Sequence, residues 1–360
     1  MRADGWPTRL GNPLAPASFA PQPRNIGIEI TGRCQLRCRH CLNDSGPHRS
    51  EELPLFVIER ILEDMRRWGL ARVRITGGEP TLHSQFDEVL SACKARGIAV
   101  ELNSHGVYPA PLLHRLLRAP VARFIISLDG MRDSHEAIRG EGTFARALGS
   151  CRSLRDAGKS VTVALHARRD NLEDIPGLGE VAAQLGATLK VTPMRPVGRA
   201  AESLADAVLD AAGFRQVAEI VAQTRSRFPN LRILADFDIF VPGASSWGIT
   251  DSGLSCGAAR TLLNIGFTGD VYPCAFFVTP DRAFSAGNIH RQSLESIWLH
   301  APVFEPFRVH TKSRRCQRCD FYATRCAGGC PAMAHFTTGR LDALDPLCFA
   351  WEPNARESDR

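Results

Sequence analysis

The sequence predicts an α/β fold in which about six strand–helix units form an open, partial (β/α)6 barrel, followed by a small cysteine-rich domain. Three observations predict this arrangement. Strand patterns alternate with helical patterns between residues 25 and 192. Cysteines cluster at two separate places in the chain, and helical periodicity fades after residue 240. Six strands are fewer than the eight that close a full barrel, so we expect an open sheet.

The strand–helix units follow one another along the chain. In the first unit Ile26, Ile28 and Ile30 alternate with polar or small residues, and Pro54 begins a helix that Gly69 ends. Further strands are expected at residues 71–76, 99–102, 123–128, 161–165 and 188–192, with helices at 84–97, 110–118, 143–157 and 174–185. Residues 201–229 are predicted to be wholly helical, with a break at residues 228–230.

The pattern divides the chain into four parts. Residues 1–24 are rich in proline and are predicted to be an N-terminal tail or strap, and residues 350–360 a polar tail. Between them lie the partial barrel, residues 25–240, and the cysteine-rich domain, residues 241–349. A chain of 360 residues is long enough for two such units.

Composition limits the functional class. No apolar run reaches membrane-spanning length and the N-terminus does not resemble a signal peptide, so we expect a cytoplasmic protein. Twelve cysteines in such a chain indicate metal or redox use rather than disulfides. The net charge of +6 is too modest to indicate nucleic-acid binding.

The first cysteine cluster follows the first predicted strand. Cys34, Cys38 and Cys41 supply three thiolates from one short loop, whereas a 4Fe–4S cluster has four irons to ligate. One iron would therefore remain open to a non-protein ligand. The alternative is a structural zinc site, in which His40 or His48 supplies the fourth ligand.

The second cluster comprises seven cysteines in the C-terminal region: Cys256, Cys274, Cys316, Cys319, Cys326, Cys330 and Cys348. Such a density in a reducing compartment indicates metal binding, and a zinc ribbon is the alternative here. Cys93 and Cys151 lie on apolar helix faces and are predicted to be core residues.

Together with motifs at the strand ends, these clusters resemble the radical S-adenosylmethionine (SAM) enzymes of the SPASM-domain subfamily. The resemblance runs from about residue 25 to residue 349. The matching motifs are Gly77-Gly78-Glu79-Pro80, Asn103 with Gly106, Ser127-Leu128-Asp129-Gly130, and Pro196 with Gly198 and Arg199. They follow the second, third, fourth and sixth strands, where parallel α/β folds place their functional groups.

The resemblance implies which residues bind SAM. His40 would pack near the adenine, and Gly77 and Gly78 would let the cofactor approach closely. A carboxylate such as Glu79 would accept from the methionine ammonium, and the cofactor would also meet Asn103 and Ser127. An ordinary turn at the glycines, and a turn-capping role for Asp129, are the alternatives.

The resemblance also implies three 4Fe–4S clusters. Cys34, Cys38 and Cys41 would hold the SAM-binding cluster. Cys316, Cys319, Cys326 and Cys348 would hold an outer auxiliary cluster, and Cys256, Cys274 and Cys330 an inner one. Seven cysteines fall one short of the ligands for two auxiliary clusters, so we hypothesise an open iron, a carboxylate or the substrate at the inner cluster.

The implied reaction is reductive cleavage of SAM, followed by abstraction of hydrogen from an unactivated C–H bond. The auxiliary clusters would accept the electron that the oxidised substrate releases. Sulfatase maturases of this family place an aspartate base after the cysteine matching Cys274, where this chain has Ala275. The weak candidates for a base elsewhere are Asp236, Asp238, Asp251 and Tyr272.

The preferred substrate is a peptide or protein. A dehydrogenated or decarboxylated small molecule, such as a sugar, nucleoside or tetrapyrrole intermediate, is the alternative, and a non-catalytic zinc protein is a remote one. Because 24 residues before the barrel are too few for a leader-binding module, the peptide interpretation expects a separate recognition protein or a leaderless substrate. A flavodoxin or ferredoxin is the expected electron donor, docking on Arg308, Lys312, Arg314, Arg315, Arg318 and Arg325. Ordinary solvated arginines are the alternative for this basic cluster.

Overall fold

The computed structural model of the protein describes residues 19–235, 256–308, 314–319, 322, 326 and 328–348. The strands in these ranges are β1 (Asn25–Glu29), β2 (Arg72–Thr76), β3 (Ala99–Ser104), β4 (Val121–Ser127), β5 (Val161–Ala167), β6 (Thr188–Pro193), β7 (Ile233–Ala235), β8 (Leu262–Ile265) and β9 (Val271–Tyr272). The helices of the first part are α1 (Leu55–Arg67), α2 (Phe86–Ala95), α3 (Ala110–Arg118), α4 (Arg132–Arg139), α5 (Thr143–Asp156), α6 (Ile175–Gln184), α7 (Arg199–Ser203) and α8 (Ala211–Arg227). Those of the C-terminal part are α9 (Leu294–His300), α10 (Glu305–Arg308), α11 (Arg314–Gln317) and α12 (Pro331–Thr338).

Within the described residues the strands form one open sheet in the order β7-β6-β5-β4-β3-β2-β1-β8-β9. Neighbouring strands are parallel except for the β8–β9 pair. The six predicted units are present, which confirms the predicted fold class. The sheet is nevertheless wider than predicted, because β7 extends it beyond β6 and β8 pairs with β1 through Gly27↔Asn264. This pairing uses the backbone groups that β1 would otherwise leave unsatisfied at an edge.

Side-chain alternation along the strands gives the sheet two different faces. Ile28 of β1, Ile75 of β2 and Leu102 of β3 are fully buried in the hydrophobic core. The intervening Gly27 and Glu29 line a cavity on the concave side. Because all these strands run in the same direction, their carboxyl ends meet at one rim of the cavity.

The region predicted as one helix over residues 201–229 is two helices, α7 and α8, and the single-helix prediction is wrong. Leu204 turns inward at the break and joins a small apolar cluster with Ile138 and Met194. Asp210 then begins α8, since its Oδ1 accepts a hydrogen bond of 2.8 Å from the backbone N–H of Gly213. Tertiary packing and a capping side chain thus override a continuous helical pattern.

The predicted docking face for an electron carrier included Arg308, and the structure shows that this part of the prediction is wrong. It is 8% exposed, donates to the carbonyl oxygens of Ala259 and Trp298, and lies 3.6 Å from the ring centroid of Phe19. The guanidinium therefore joins the N-terminal strap to the C-terminal part and is not available to a partner. Lys312 and Arg325 lie outside the described residues, as does the side chain of Arg314.

The predicted boundary between residues 240 and 241 also lies outside the described ranges and stays a prediction. In the ranges that are described, no helix combines the length and the apolar character that crossing a bilayer requires.

Candidate functional site

The loop after β1 brings the first three cysteines together. Cys34 and Cys38 are buried and Cys41 is half-buried. Burial raises the pKa of the Cys34 thiol to about 12, and the neighbouring Cys38 and Cys41 contribute to the rise. A cluster that binds here must therefore displace thiol protons, as metal centres with thiolate ligands do.

Nitrogen donors already point at these sulfur atoms. The backbone N–H of Leu36 donates to Cys34 Sγ at 3.4 Å, and that of Ser45 donates to Cys41 Sγ at 3.3 Å. Such bonds stabilise thiolate and help set the potential of an iron–sulfur cluster. The donor set and its hydrogen bonds therefore fit a 4Fe–4S cluster with three protein ligands.

Gly77 and Gly78 end β2 directly against the cysteine loop. A Cβ at Gly77, whose φ is +148°, would lie 2.4 Å from the Thr31 carbonyl oxygen, and one at Gly78 would lie 2.3 Å from that of Arg33. The backbone N–H of Gly78 donates to the Thr31 oxygen at 2.7 Å. Only glycine permits this approach, and both glycines line the cavity. The close approach of SAM to them stays a prediction.

Glu79 follows the two glycines and is held by hydrogen bonds within the protein. Its carboxylate is completely buried and accepts from Ser104 Oγ at 2.7 Å and Thr81 Oγ1 at 2.8 Å, with His105 Nε2 at 3.1 Å. The described residues that line the cavity include Gly77 and Gly78 but not Glu79. The carboxylate therefore fixes the end of β3, and the expected contact with a methionine ammonium stays a prediction.

Asn103 and Ser127 lie at the carboxyl ends of β3 and β4 and line the cavity. The Oδ1 atom of Asn103 is buried without a hydrogen-bond partner among the described residues. A buried acceptor of this kind is costly unless a ligand satisfies it. The rim therefore offers at least one open acceptor toward the cavity.

His40 also lines the cavity, but its ring is fixed by a charged network. Its Nε2 lies 2.9 Å from Asp129 Oδ2, which also accepts from Arg139 Nε at 2.6 Å. Burial lowers the pKa of His40 to about 4, so the ring is neutral and donates to the carboxylate. His166 adds an edge-on ring contact, with centroids 5.4 Å apart.

His40, Asp129 and His166 meet the distance requirement for a metal triad, since their ligand atoms lie within 4.8 Å of one another. The guanidinium of Arg139 already neutralises Asp129, so this group acts as a charge network rather than as an ion site. The network fixes the His40 ring within the cysteine loop, and its expected place near the adenine stays a prediction.

Arg139 is a site residue that the sequence reasoning missed. It lies at the end of the unpredicted helix α4, and its Nη1 is 3.8 Å from Cys38 Sγ. The sequence signal that could have predicted α4 is Gly140, which follows an amphipathic segment and ends the helix with φ +102°.

Some of the C-terminal cysteines lie near one another, and the two ligand sets that the resemblance implied for them stay a prediction. Burial raises the pKa of Cys274, and the neighbouring Cys330 and Cys256 add to the rise, which places these three thiols together. Burial raises the pKa of the Tyr322 phenol, and the neighbouring Cys316 and Cys326 add to the rise.

The outer group also has donors in place. Cys326 Sγ accepts from the backbone N–H groups of Gly328 at 3.3 Å and Gly329 at 3.4 Å. As in the first loop, such donors fit a thiolate-ligated cluster.

A single cavity of about 1440 Å³ connects these features. The cysteines on its wall come from both parts of the chain: Cys34, Cys38, Cys41, Cys256, Cys274, Cys316, Cys319, Cys326, Cys330 and Cys348. This volume exceeds the ordinary range for a site that holds one small ligand.

Of the predicted candidates for a catalytic base, Tyr272 alone is among the described residues. Asp236, Asp238 and Asp251 lie outside the described residues. Tyr272 is 2% exposed and belongs to the hydrophobic core rather than to the cavity lining of the described chain. The wall does carry Glu29, which sequence reasoning missed although it is the one charged residue in the apolar strand β1.

Comparison with known proteins agrees with this geometry. Two family models match, the radical SAM superfamily over residues 28–180 and an iron–sulfur cluster-binding domain, SPASM, over residues 256–320. The mycofactocin maturase MftC of Mycolicibacterium smegmatis is 31% identical over 337 residues, covering 92% of this chain and 84% of the relative. The PqqA peptide cyclase of a Methylobacterium species is 27% identical over 335 residues, covering 91% and 86%.

A solved structure shares the fold. Streptococcus suis SuiB, determined bound to its precursor peptide SuiA, matches with a TM-score of 0.74 at 20% sequence identity. The match covers 91% of this chain and 76% of the SuiB chain.

Proposed function

Because the chain belongs to the radical SAM enzymes that carry a SPASM domain, we propose that it matures a peptide or protein by abstracting hydrogen from an unactivated C–H bond. The chain is an enzyme that uses SAM and 4Fe–4S clusters. When bound, these groups supply the reductive cleavage of SAM and the hydrogen abstraction, while the protein binds, orients and shields them.

The observation that carries this proposal is that one cavity borders both cysteine groups. Cys34, Cys38 and Cys41 would ligate the SAM-binding cluster, and the Gly77–Gly78 edge would let SAM lie against the same loop. A substrate in the cavity would then lie within reach of both the site of hydrogen abstraction and the auxiliary clusters that accept its electron.

Two observations favour a peptide over a small molecule. The two relatives reported above are named a maturase and a peptide cyclase, and the related fold of SuiB was determined with a precursor peptide.

The test uses the peptides that short open reading frames beside this gene encode. Each synthetic peptide is incubated anaerobically with reconstituted enzyme, SAM and dithionite, and is examined by mass spectrometry. A substrate is expected to change mass and to stimulate formation of 5′-deoxyadenosine. Stimulation by a sugar, nucleoside or tetrapyrrole, with none by any peptide, would favour the small-molecule alternative.

We also propose that the reaction takes place in the cytoplasm with a flavodoxin or ferredoxin as electron donor. Arg315 and Arg318 are exposed beside the outer cysteine group and offer positive charge to an acidic carrier. Reversing both charges should slow turnover driven by flavodoxin and leave turnover driven by dithionite unchanged. Reversal of the exposed Arg118 on α3 is the control, and equal slowing by this variant would contradict the docking face.

A separate peptide-recognition protein remains part of the proposal. Addition of a small binding protein encoded beside the gene should lower the peptide concentration needed for half-maximal turnover.

A further inference from the structure

Glu29 is a buried carboxylate on the cavity wall. It ends β1, is 2% exposed, and faces the cavity while Ile28 and Ile30 on either side face the core. Its Oε2 accepts from Asn43 Nδ2 at 3.1 Å, and its Oε1 accepts from Asn264 Nδ2 at 3.1 Å. In the described part of the chain no arginine, lysine or histidine pairs with it.

The absence of a cation distinguishes Glu29 from the other buried acid of the site. Asp129 is neutralised by Arg139, whereas Glu29 has two neutral amides. Taking an unpaired carboxylate out of water disfavours its charged form. Burial accordingly raises the pKa of Glu29 to about 7, and the two amide bonds only partly oppose the rise.

The two amides hold Glu29 between the parts of the site that carry different cysteines. Asn43 belongs to the first cysteine loop, where its Oδ1 accepts from Ser45 Oγ at 2.8 Å. Asn264 belongs to β8, and a Cβ at Gly27 would lie 2.3 Å from its Oδ1, so the glycine makes room for the amide. The neighbouring titratable group on β9 is the phenol of Tyr272, whose pKa burial also raises.

We propose that Glu29 is the catalytic residue that accepts the proton lost by the substrate as it is oxidised in this cavity. This inference rests on the proposed function. Loss of a hydrogen atom to the SAM-derived carbon leaves the substrate as a carbon radical. To become a closed-shell product, the radical gives up one electron and one proton. The auxiliary clusters that the C-terminal cysteines would hold, in their oxidised form, would supply the acceptor for the electron. The Glu29 carboxylate takes the proton and becomes the neutral acid.

A group with this role needs a pKa near the working pH, since it must accept a proton and later release it. Glu29 meets this condition because of its burial, and its side chain lies on the wall of the cavity that would hold the substrate. Proton acceptance requires the carboxylate form, so product formation should rise with pH through about 7. Cleavage of SAM precedes this step and should not follow the same profile.

The test compares Glu29→Gln and Glu29→Asp with wild-type holoenzyme. Glu101→Gln is the matched control, because Glu101 is a second carboxylate on the wall that is paired with Arg74 and Arg123. The substrate is the neighbouring-gene peptide that wild-type enzyme converts. Glu29→Gln should lower product formation about 100-fold or more, while substrate-stimulated 5′-deoxyadenosine changes by less than about twofold. Glu29→Asp should restore part of the product with a shifted pH profile.

Two results would overturn the inference. One is a Glu29→Gln enzyme with full iron that makes product within about tenfold of wild type, below the range for a general base. The other is loss of 5′-deoxyadenosine together with product, which would assign Glu29 to SAM or the cluster. If Glu29→Gln does not incorporate iron, Glu29→Asp decides between these results by the same two measurements.

A second measurement needs no substrate. Infrared difference spectra of wild-type holoenzyme between about pH 6 and pH 8 should show a carboxylic acid band that Glu29→Gln lacks and Glu101→Gln retains. No such band would overturn the inference. If wild-type enzyme converts no peptide at all, the proposed function fails, and the infrared titration still judges Glu29.

Discussion

Replacing Asp129 with asparagine should strongly destabilise the barrel. The Asp129 carboxylate is completely buried and accepts from Arg139 Nε at 2.6 Å and from the backbone N–H of His166 at 3.0 Å. Burial would raise its pKa, but Arg139 and His40 hold the pKa of Asp129 well below its usual range. The carboxylate is therefore charged at neutral pH, and its stabilisation is lost only as the pH falls below the ordinary aspartate range.

The size of the effect follows from the charge that remains. Asparagine keeps the shape of the side chain but leaves the buried Arg139 guanidinium without its counter-charge, which costs about 3–5 kcal/mol. For a unit the size of the barrel, this corresponds to a fall in Tm of about 6–20 °C. Thermal unfolding of reconstituted enzyme, followed anaerobically by circular dichroism, measures the fall.

A double variant measures how much of the lost stability comes from the interaction between Asp129 and Arg139. Asp129→Asn combined with Arg139→Gln removes both charges, so its loss should be smaller than the sum of the single losses by about 1–3 kcal/mol. A fall in Tm below about 2 °C for Asp129→Asn, or strictly additive losses, would refute the role assigned to the pair.

Three further predictions follow from the site. Arg139→Gln removes a positive charge 3.8 Å from Cys38 Sγ and should lower the midpoint potential of the SAM-binding cluster in an electron paramagnetic resonance titration, and an unchanged potential would contradict the contact. Gly78→Ala should lower iron content and stability because its Cβ meets a carbonyl oxygen at 2.3 Å, whereas Gly149→Ala in α5, with open space around it, should be neutral or stabilising by about 0.4–1 kcal/mol. Burial raises the pKa of Glu29 from 4.5 to about 7, so the native state binds the extra proton and the free energy of unfolding should fall by up to about 3 kcal/mol from about pH 5 to pH 8. Urea unfolding should show this fall in wild type and not in Glu29→Gln, and equal slopes would contradict it.

The repeating strand–helix pattern could be predicted from the sequence because the residues that begin and end each element are local signals. Pro54 and Gly69 bracket α1, and the predicted bounds of α3 coincide with Ala110–Arg118. The break before α8 could not be predicted, because Leu204 continues the apolar periodicity of a helix. The contacts that bury Leu204 come from other elements.

The site residues also fall into those that short sequence motifs predict and those whose surroundings come from distant parts of the chain. The cysteines and the Gly77–Gly78 edge follow from spacing within short motifs. The role of Glu29 depends on Asn43 and Asn264, which are 14 and 235 residues away in sequence. The neighbours of Arg308 in sequence are those of a surface arginine, but Phe19, far away in the chain, packs against its guanidinium. Residues whose surroundings are assembled by the fold cannot be assigned from their neighbours in sequence.

The proposed chemistry begins at the loop of Cys34, Cys38 and Cys41, which would hold the cluster that cleaves SAM. The most direct measurement is formation of 5′-deoxyadenosine by anaerobically reconstituted, dithionite-reduced enzyme, with and without candidate peptides. Wild-type enzyme with about twelve irons per chain is expected to form it. Cys38→Ala should form none and should lose about four irons. Equal formation by this variant, or none by fully loaded wild-type enzyme with any peptide, would contradict the claim.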